Sequence, residues 1–366
     1  MQKKIIYHIH TDRKFLNNTK RFDNNLFTNI IIYISFENLN NFDDYTIYNF
    51  YAALDNTSEV VELVADGDLV VFYGLCHLKV KILKKLPDKQ KKIWRFFGYE
   101  LYGKRKDLMF DKETYKLFEH RRGFSGTLFM WLRTLKRKYS NYRDEQLFKK
   151  FDYISMFCEE EYNFLLKYFK LPNLLLLNLM EQDEPVRFNT NKKSTIILGN
   201  SRMPYNNHFE MLSIVQESCT PHYNFKLLFN YGPVGTLSRA VEDRTKSINN
   251  VIIVNDFMTP KDFIEFYDDA SALVINSYRQ MALGNIFTGL KKGVKIYLND
   301  KNVIKKWLED LGFIISSIEN LKIDLETGNA SLSEKEMMHN ATLFKELPVR
   351  YTKTDFNNKV TQLLAK

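Results

Sequence analysis

Short apolar runs alternate with helix-like segments along this chain, and the alternation breaks once, at residues 181–193, before it starts again. Alternation of that kind builds parallel sheets flanked by helices. In the first series residues 4–9, 29–35, 69–72, 92–97, 151–157 and 173–179 read as strands. Helical patterns fall near 46–54, after Gly74 and over 159–169. In the second series the strands are 194–198, 225–229, 250–254, 272–276, 294–298 and 312–315, with helices over 208–217, 260–268, from about Gln280, and over 303–311. The intervening 181–193 is polar, contains Pro185 and lacks periodicity, as a linker does. A chain of 366 residues also exceeds the size at which one core stops growing. The expected fold class is therefore α/β, with two Rossmann-like parallel-sheet domains, 1–180 and 194–345. A terminal segment, 346–366, has a helix that can pack back on either lobe. Ligands of such sheets sit beyond the carboxyl ends of the strands, so both lobes should turn their strand-to-helix loops toward a shared cleft.

Composition narrows the class. No run approaches the roughly 18–20 apolar residues of a membrane span, and the start reads as a first strand rather than a signal peptide, so a cytoplasmic protein is expected. Cys76, Cys158 and Cys219 are scattered without paired spacing, which fits core residues in a reducing compartment and no structural zinc. The net charge of +9 is localised. Residues 79–92 hold seven lysines and one aspartate, and 120–138 hold six Lys or Arg and no acid, so the rest of the chain is slightly acidic. In the second segment Phe124, Leu128, Trp131, Leu132 and Leu135 recur at helical spacing, with Arg133, Lys136, Arg137 and Lys138 at one end. That pattern is either an amphipathic helix lying on an anionic membrane surface or a core-facing helix with a solvated basic face.

Standard nucleotide and hydrolase signatures are missing. No Gly-x-Gly-x-x-Gly follows the first strand, and there is no P-loop, Gly-x-Ser-x-Gly elbow or His-Glu-x-x-His helix. Chemistry must lie in less standard loops. Ser277-Tyr-Arg-Gln-Met-Ala-Leu-Gly-Asn-Ile286 joins an apolar strand to a helix through a turn bearing Arg279, Gln280, Gly284 and Asn285. Backbone N–H groups and the helix dipole attract anions there and Arg279 adds a full charge; the alternative is an ordinary connection with a solvated Arg. Gly199, Asn200, Ser201 and Arg202 end another strand, with Asn207 placed to cap the next helix, and Tyr231-Gly232 can stack on a base or close a turn. Together these loops suit a nucleotide diphosphate.

In the first lobe His8, His10 and Asp12 end strand one. Alternation puts both histidines on one face, but no third ligand is evident, so a polar role near substrate is preferred to a metal. Glu100 follows a Gly98 turn among aromatics, where desolvation would raise its pKa as a general base requires; the alternative is a surface Glu.

These motifs resemble those of the bacterial TDP-N-acetylfucosamine:lipid II N-acetylfucosaminyltransferases, glycosyltransferase family 56, also labelled 4-alpha-L-fucosyltransferases. The resemblance rests on His8-Ile-His-Thr-Asp12 with Lys14-Phe-Leu16, the stretch from Trp94 to Tyr102, Leu198 to Ser201 with Asn206-Asn-His208, Tyr231-Gly232, and Arg279 to Asn285. It implies a GT-B architecture in which the C-terminal lobe holds the sugar nucleotide and the N-terminal lobe holds a polyprenyl-diphosphate-linked saccharide. It also implies an inverting transfer without a catalytic metal or cofactor. On that resemblance Glu100, or else His10 or Asp12, takes the acceptor proton. Arg279, Arg202 and the helix starts near Asn207 and Gly284 stabilise the leaving diphosphate. A lipid-linked acceptor gives the basic patch a purpose, at the inner face of the plasma membrane in surface polysaccharide synthesis of the enterobacterial common antigen kind. The chain departs from the family in carrying Glu at position 100, where the family has Asp, and in its Asn- and Lys-rich composition. Two other readings compete: a nucleic-acid-binding protein that uses the basic patch, and a catalytically idle GT-B-like scaffold.

Overall fold

β-Branched and aromatic residues cluster where the strands form, because they pack well on a pleated surface. The computed structural model describes residues 3–53, 56–120, 145–179, 194–218 and 220–365. Seven strands form one sheet: β1 (Lys4–His10), β2 (Phe27–Ser35), β3 (Thr46–Tyr51), β4 (Leu69–Tyr73), β5 (Lys91–Arg95), β6 (Tyr153–Met156) and β7 (Asn173–Leu176). Their order is β3-β2-β1-β4-β5-β6-β7 and every pairing is parallel. A second sheet takes β8 (Thr195–Leu198), β9 (Asn224–Leu228), β10 (Val251–Val254), β11 (Ala270–Ile275), β12 (Lys295–Leu298) and β13 (Ser316–Ser317). It is again wholly parallel, in the order β10-β9-β8-β11-β12-β13. The central strands β4, β8 and β11 are buried throughout, as strands covered on both faces must be. Each order reverses direction once, at β1/β4 in the first sheet and at β8/β11 in the second. These switch points are where open α/β sheets bind ligands.

The described residues divide into two compact units. One holds 3–101, 145–179 and 348–365, and the other holds 102–120 and 194–347. The division therefore places 102–120 with the second sheet and the C-terminal helix Lys353–Leu364 with the first. The reason for each is local. In the helix Lys112–His120, Thr114 donates to Glu210 through its backbone N–H at 2.9 Å and its hydroxyl at 2.6 Å, and Leu117 packs on the second unit's core. Phe356, Val360 and Leu363 of the C-terminal helix are buried in the first unit's core beside Ile6, Val71 and Leu175. The expected linker 181–193 and the basic segment 121–138 lie outside the described residues.

Three sequence expectations give way. Residues 46–54, read as helical, carry β3 instead: Ile47, Phe50 and Tyr51 do fall at helical spacing, but Thr-Ile-Tyr-Asn-Phe-Tyr is β-branched and aromatic and pairs with β2 as a half-exposed edge strand. The strand expected over 312–315 forms only at Ser316–Ser317, because Gly312, at φ +96°, first closes the preceding helix, with Phe313 N–H bonded to the Leu308 carbonyl at 3.0 Å. The helix expected from Gln280 starts at Leu283, after Ala282 turns left-handed at φ +61°.

The basic segment over 79–92 is also less of a surface patch than its charge suggests. Lys79 and Lys92 are buried, Lys92 Nζ donates to the carbonyls of Pro87 (2.7 Å) and Gln90 (2.6 Å), and Lys91 pairs with Asp152 at 3.4 Å.

Asn357 ties the C-terminal helix to the first sheet's loops. It is buried, donates to the Arg21 carbonyl at 3.0 Å and the Lys353 carbonyl at 2.7 Å, and accepts from Asp23 N–H at 3.0 Å. Asn357→Ala strands that donor and acceptor, so urea unfolding is expected to show a loss of about 1–3 kcal/mol. Asn358→Ala, on the exposed side of the same helix, should stay within about 0.5 kcal/mol. Equal effects would remove Asn357 as an anchor.

Candidate functional site

At the carboxyl edge of the second sheet, the loop after β8 is built around Asn206. Gly199 sits at φ +63°, and a Cβ there would lie 3.3 Å from Asn206 Oδ1 and 3.5 Å from His208 Nε2, so only glycine makes this turn without strain. Asn206 Oδ1 accepts from Asn200 N–H at 3.2 Å, and its Nδ2 reaches the carbonyl and hydroxyl of Ser201, each at 3.1 Å. His208 Nε2 donates to the Ser201 carbonyl at 2.9 Å; burial pulls this imidazole down to about 4, so it is neutral. The loop after β9 is stitched on. Asn200 Nδ2 donates to Tyr231 Oη at 2.7 Å, and Arg202 N–H donates to the Tyr231 carbonyl at 2.8 Å. Gly232, at φ +110°, comes close enough that a Cβ would meet Met203 Sδ at 3.1 Å. The Arg202 guanidinium reaches the Gly232 carbonyl (3.4 Å) and Asn255 Oδ1 (3.2 Å).

The loop after β11 completes this edge. Arg279 is only 7 % exposed, and its guanidinium lies 4.6 Å above the Tyr205 ring. Gln280 is partly buried beside it. The helix Leu283–Lys291 then begins with no side-chain cap, because Ala282 stands at its N-cap. Gly284 in its first turn is exposed with open space where a Cβ would be. Unspent N–H groups at a helix start with an arginine nearby form an anion-binding arrangement.

Two expected ligand residues are turned elsewhere. Asn285 Nδ2 donates to Tyr267 Oη at 2.9 Å. Asn207 does not cap the helix His208–Ser218: it is left-handed (φ +48°) and fully buried, accepts from Asp111 N–H at 2.9 Å and donates to the Asn276 carbonyl at 2.7 Å. Asn299 donates to Asn276 Oδ1 at 2.7 Å, so an asparagine brace that sequence reading missed joins β8, β11 and β12 at their carboxyl ends.

The first unit gathers a different chemistry at the carboxyl ends of β1, β4 and β5. His8 and His10 are both fully buried. His8 Nε2 donates to Asn29 Oδ1 (2.9 Å) and its Nδ1 meets Tyr73 Oη (3.0 Å), while His10 stacks on Tyr73 at 3.9 Å and its Nε2 meets Thr19 Oγ1 at 2.9 Å. Burial holds His8 at about 4 and His10 well below its usual value. Asp12 caps the 3-10 turn Arg13–Arg21 through Lys14 N–H (3.0 Å) and pairs with Lys14 Nζ (3.0 Å). Glu100 Oε1 accepts from Phe97 N–H (3.3 Å) and Trp94 Nε1 (3.4 Å), and its buried Oε2 has no hydrogen-bond partner among the described residues. Desolvation pushes the Glu100 carboxyl up, opposed by its own hydrogen bonds and by Arg95. Lys79 is buried with Nζ bonded to the Tyr73 carbonyl, and burial lowers it to about 8 against the opposing pull of Glu100. Its place on the stripe Lys79, Ile82, Leu83 of the helix His77–Lys85 is the sequence signal that marks it as buried. Among the described residues no group of three or more His, Cys, Asp or Glu is placed to hold a metal.

No family model and no curated protein matches the chain. Solved structures match over its whole length. An alpha,alpha-trehalose-phosphate synthase (UDP-forming) from Burkholderia vietnamiensis superposes with a TM-score of 0.69 at 6 % identity, covering 99 % of this chain and 100 % of that one. A sucrose-phosphate synthase from Thermosynechococcus elongatus gives 0.64 at 9 %, covering 99 % and 98 %. A glycosyltransferase from Rickettsia africae gives 0.62 at 12 %, covering 100 % and 98 %. The fold is the GT-B fold. At these identities the likeness is one of architecture, and the chemistry must be argued from the residues.

His8 and His208 give a pH test of this geometry. Both are held near 4 in the folded chain by burial. The unfolded chain takes up those protons near pH 6.5, so stability is full above that value and is lost as pH falls toward 4. Urea unfolding at pH 7 and pH 5 is expected to differ by about 2 kcal/mol per histidine. His208→Gln, which keeps a donor for Ser201, should flatten that slope; an unchanged slope would refute the assignment.

Proposed function

We propose that the chain is a glycosyltransferase. It moves a sugar from a nucleotide diphosphate donor to a hydroxyl of a saccharide acceptor in a single displacement with inversion. The observation that carries this reading is the meeting of the Gly199–Ser201 turn, Arg279 and the uncapped helix start at Leu283 beside the β8/β11 switch point. A diphosphate needs positive charge and N–H donors close together, and that edge supplies both. Gly199, Asn200, Ser201 and Gly232 let the backbone come near the nucleotide, and Tyr231, 47 % exposed, offers a face for stacking.

In the reaction the acceptor oxygen attacks the anomeric carbon while its proton passes to the Glu100 carboxylate. The bond from that carbon to the diphosphate oxygen breaks, its electron pair leaving with the diphosphate. Arg279, Arg202 and the N–H groups near Gly284 stabilise the negative charge that develops there. In the proposed step these protein groups supply the compensating positive charge. The finer reading is carried by the sequence resemblance: a TDP-linked deoxyamino sugar of the N-acetylfucosamine kind, a polyprenyl-diphosphate-linked saccharide acceptor, and work at the cytoplasmic face of the bacterial membrane in surface polysaccharide synthesis. No helix among the described residues is long and apolar enough to cross a membrane.

A thermal-shift series with UDP, TDP, GDP and their sugars tests the donor site, since a ligand at a hundred times its Kd adds about 2.7 kcal/mol of stability. At least one nucleotide diphosphate should raise the midpoint; if none does, the donor reading fails. Arg279→Ala is expected to weaken that binding by about 1.5–3 kcal/mol, the range for a charged hydrogen bond. Glu100→Gln should keep the shift and lower kcat by about 10²–10⁴-fold. Unchanged turnover would remove Glu100 as the base.

A further inference from the structure

The first unit carries a cavity of about 400 Å³ at the edge of the sheet opposite its candidate site. It opens where β5, β6 and β7 begin, at Lys91, Tyr153 and Asn173, whereas Glu100 and His10 follow strand carboxyl ends. In a parallel sheet these are opposite edges, so this cavity is no part of the donor or acceptor chemistry proposed above. Lys91, Lys149 and Lys170 all line it. The one acid in the lining, Asp152, is already used: Oδ2 accepts from Lys92 N–H at 2.8 Å and Oδ1 faces Lys91 Nζ at 3.4 Å. Lys149 has no ion-pair partner among the described residues, and the exposed Lys170 stands at the long distance of 3.9 Å from Glu145. The cavity therefore holds a net positive charge. Phe151, Leu171, Pro172 and Leu363 give it an apolar wall, and Tyr153 and Asn173 add neutral polar groups.

We propose that this cavity binds a phosphate ester. Three lysines lining one space suit a tetrahedral anion with three free oxygens better than a carboxylate with two, and lysine binds phosphate as a point charge. The volume is that of a ligand-sized pocket, larger than a bare ion needs, and the apolar wall accommodates the organic part of the ester. The phosphate comes either from a soluble ester or from the headgroup of an anionic phospholipid.

The experiment uses the full chain, the double variant Lys149→Glu/Lys170→Glu, and the milder Lys149→Gln/Lys170→Gln in case charge reversal impairs folding. Isothermal titration with glycerol 3-phosphate reads the soluble source. Sedimentation with phosphatidylcholine vesicles, with and without about a third of phosphatidic acid, reads the lipid source, because an anionic surface attracts each basic residue held near it. The wild-type chain is expected to bind one of the two, and the variants to lose at least tenfold in that affinity while keeping the wild-type thermal midpoint and any nucleotide-induced shift. Binding to glycerol 3-phosphate identifies a soluble ligand, and lysine-dependent sedimentation only with phosphatidic acid identifies a lipid. The proposal is overturned if the wild type binds neither, or if the folded variants bind as well as the wild type. Because the nucleotide shift is read separately, failure here leaves the donor-site reading intact, and the reverse holds too.

Discussion

Parallel pairing is the constraint on which the arrangement of functional groups depends. When every strand of a sheet points the same way, all the strand-to-helix turns emerge at one edge, and the chain must cross from one side of β1, or of β8, to the other. At that crossing two neighbouring turns diverge and leave room for a ligand. The two sheets repeat the device with different fillings. Around β8 and β11 the space is edged by glycine turns, an arginine and an uncapped helix, which together favour an anion. Around β1 and β4 it is filled by aromatic rings, neutral histidines and a carboxyl group. The difference lies in the residues that end each strand and not in the fold.

Holding these turns in place falls to buried polar side chains. Asn206, Asn207, Asn276 and Asn299 are all nearly inaccessible, and each satisfies polar groups that the strand ends would leave without partners. A buried polar group is costly unless bonded, so a network of this kind tolerates one geometry and fixes the loops in it. The buried cations of the first unit follow the same rule. Arg95 donates to the carbonyls of Phe96 and Ser155 and lies 4.7 Å from the rings of both Phe97 and Phe157, while Arg21 donates to the Asn178 carbonyl. Burial lowers these guanidinium groups to about 9 and about 10, which leaves both charged at neutral pH.

The strands are legible in the sequence because their apolar runs are short, β-branched and spaced by helices. Both sheets follow from that rhythm, and so does the restart at Thr195. What escapes the pattern does so for a physical reason. β3 sits at an edge, where exposure allows Tyr48 and Asn49 into the strand and blurs its pattern. The helix Thr236–Thr245 and the long helix Glu334–Arg350 are hard to read because their polar faces dilute the apolar stripe. Among the candidate residues, Gly199, Arg279 and Glu100 can be singled out because special backbone shape and charge are visible in a residue type. The partners of Asn207 and Asn285 are not legible, because an asparagine looks the same whether it faces a ligand, a tyrosine hydroxyl or a strand end 69 residues away. Partners that distant in sequence leave no local trace.

The choice of Glu100 over His10 as proton acceptor follows from the sign of desolvation. Burial disfavours whichever form carries charge. For His10 that is the protonated form, and the neighbouring Lys79 disfavours it further, so accepting a proton there is uphill. For Glu100 the disfavoured form is the carboxylate: taking the acceptor's proton neutralises a buried charge, and its raised pKa expresses that gain. Full neutralisation in the resting state would make it useless as a base. Arg95 opposes that neutralisation, and the Glu100 charge in turn favours the charged form of Lys79. Asp12 is not buried in this way: one oxygen caps a turn and the other faces Lys14 in an exposed pair. A base set between desolvation and nearby cations is poised to change state within a transfer of the proposed kind, and of the three candidates Glu100 has the buried carboxyl that this requires.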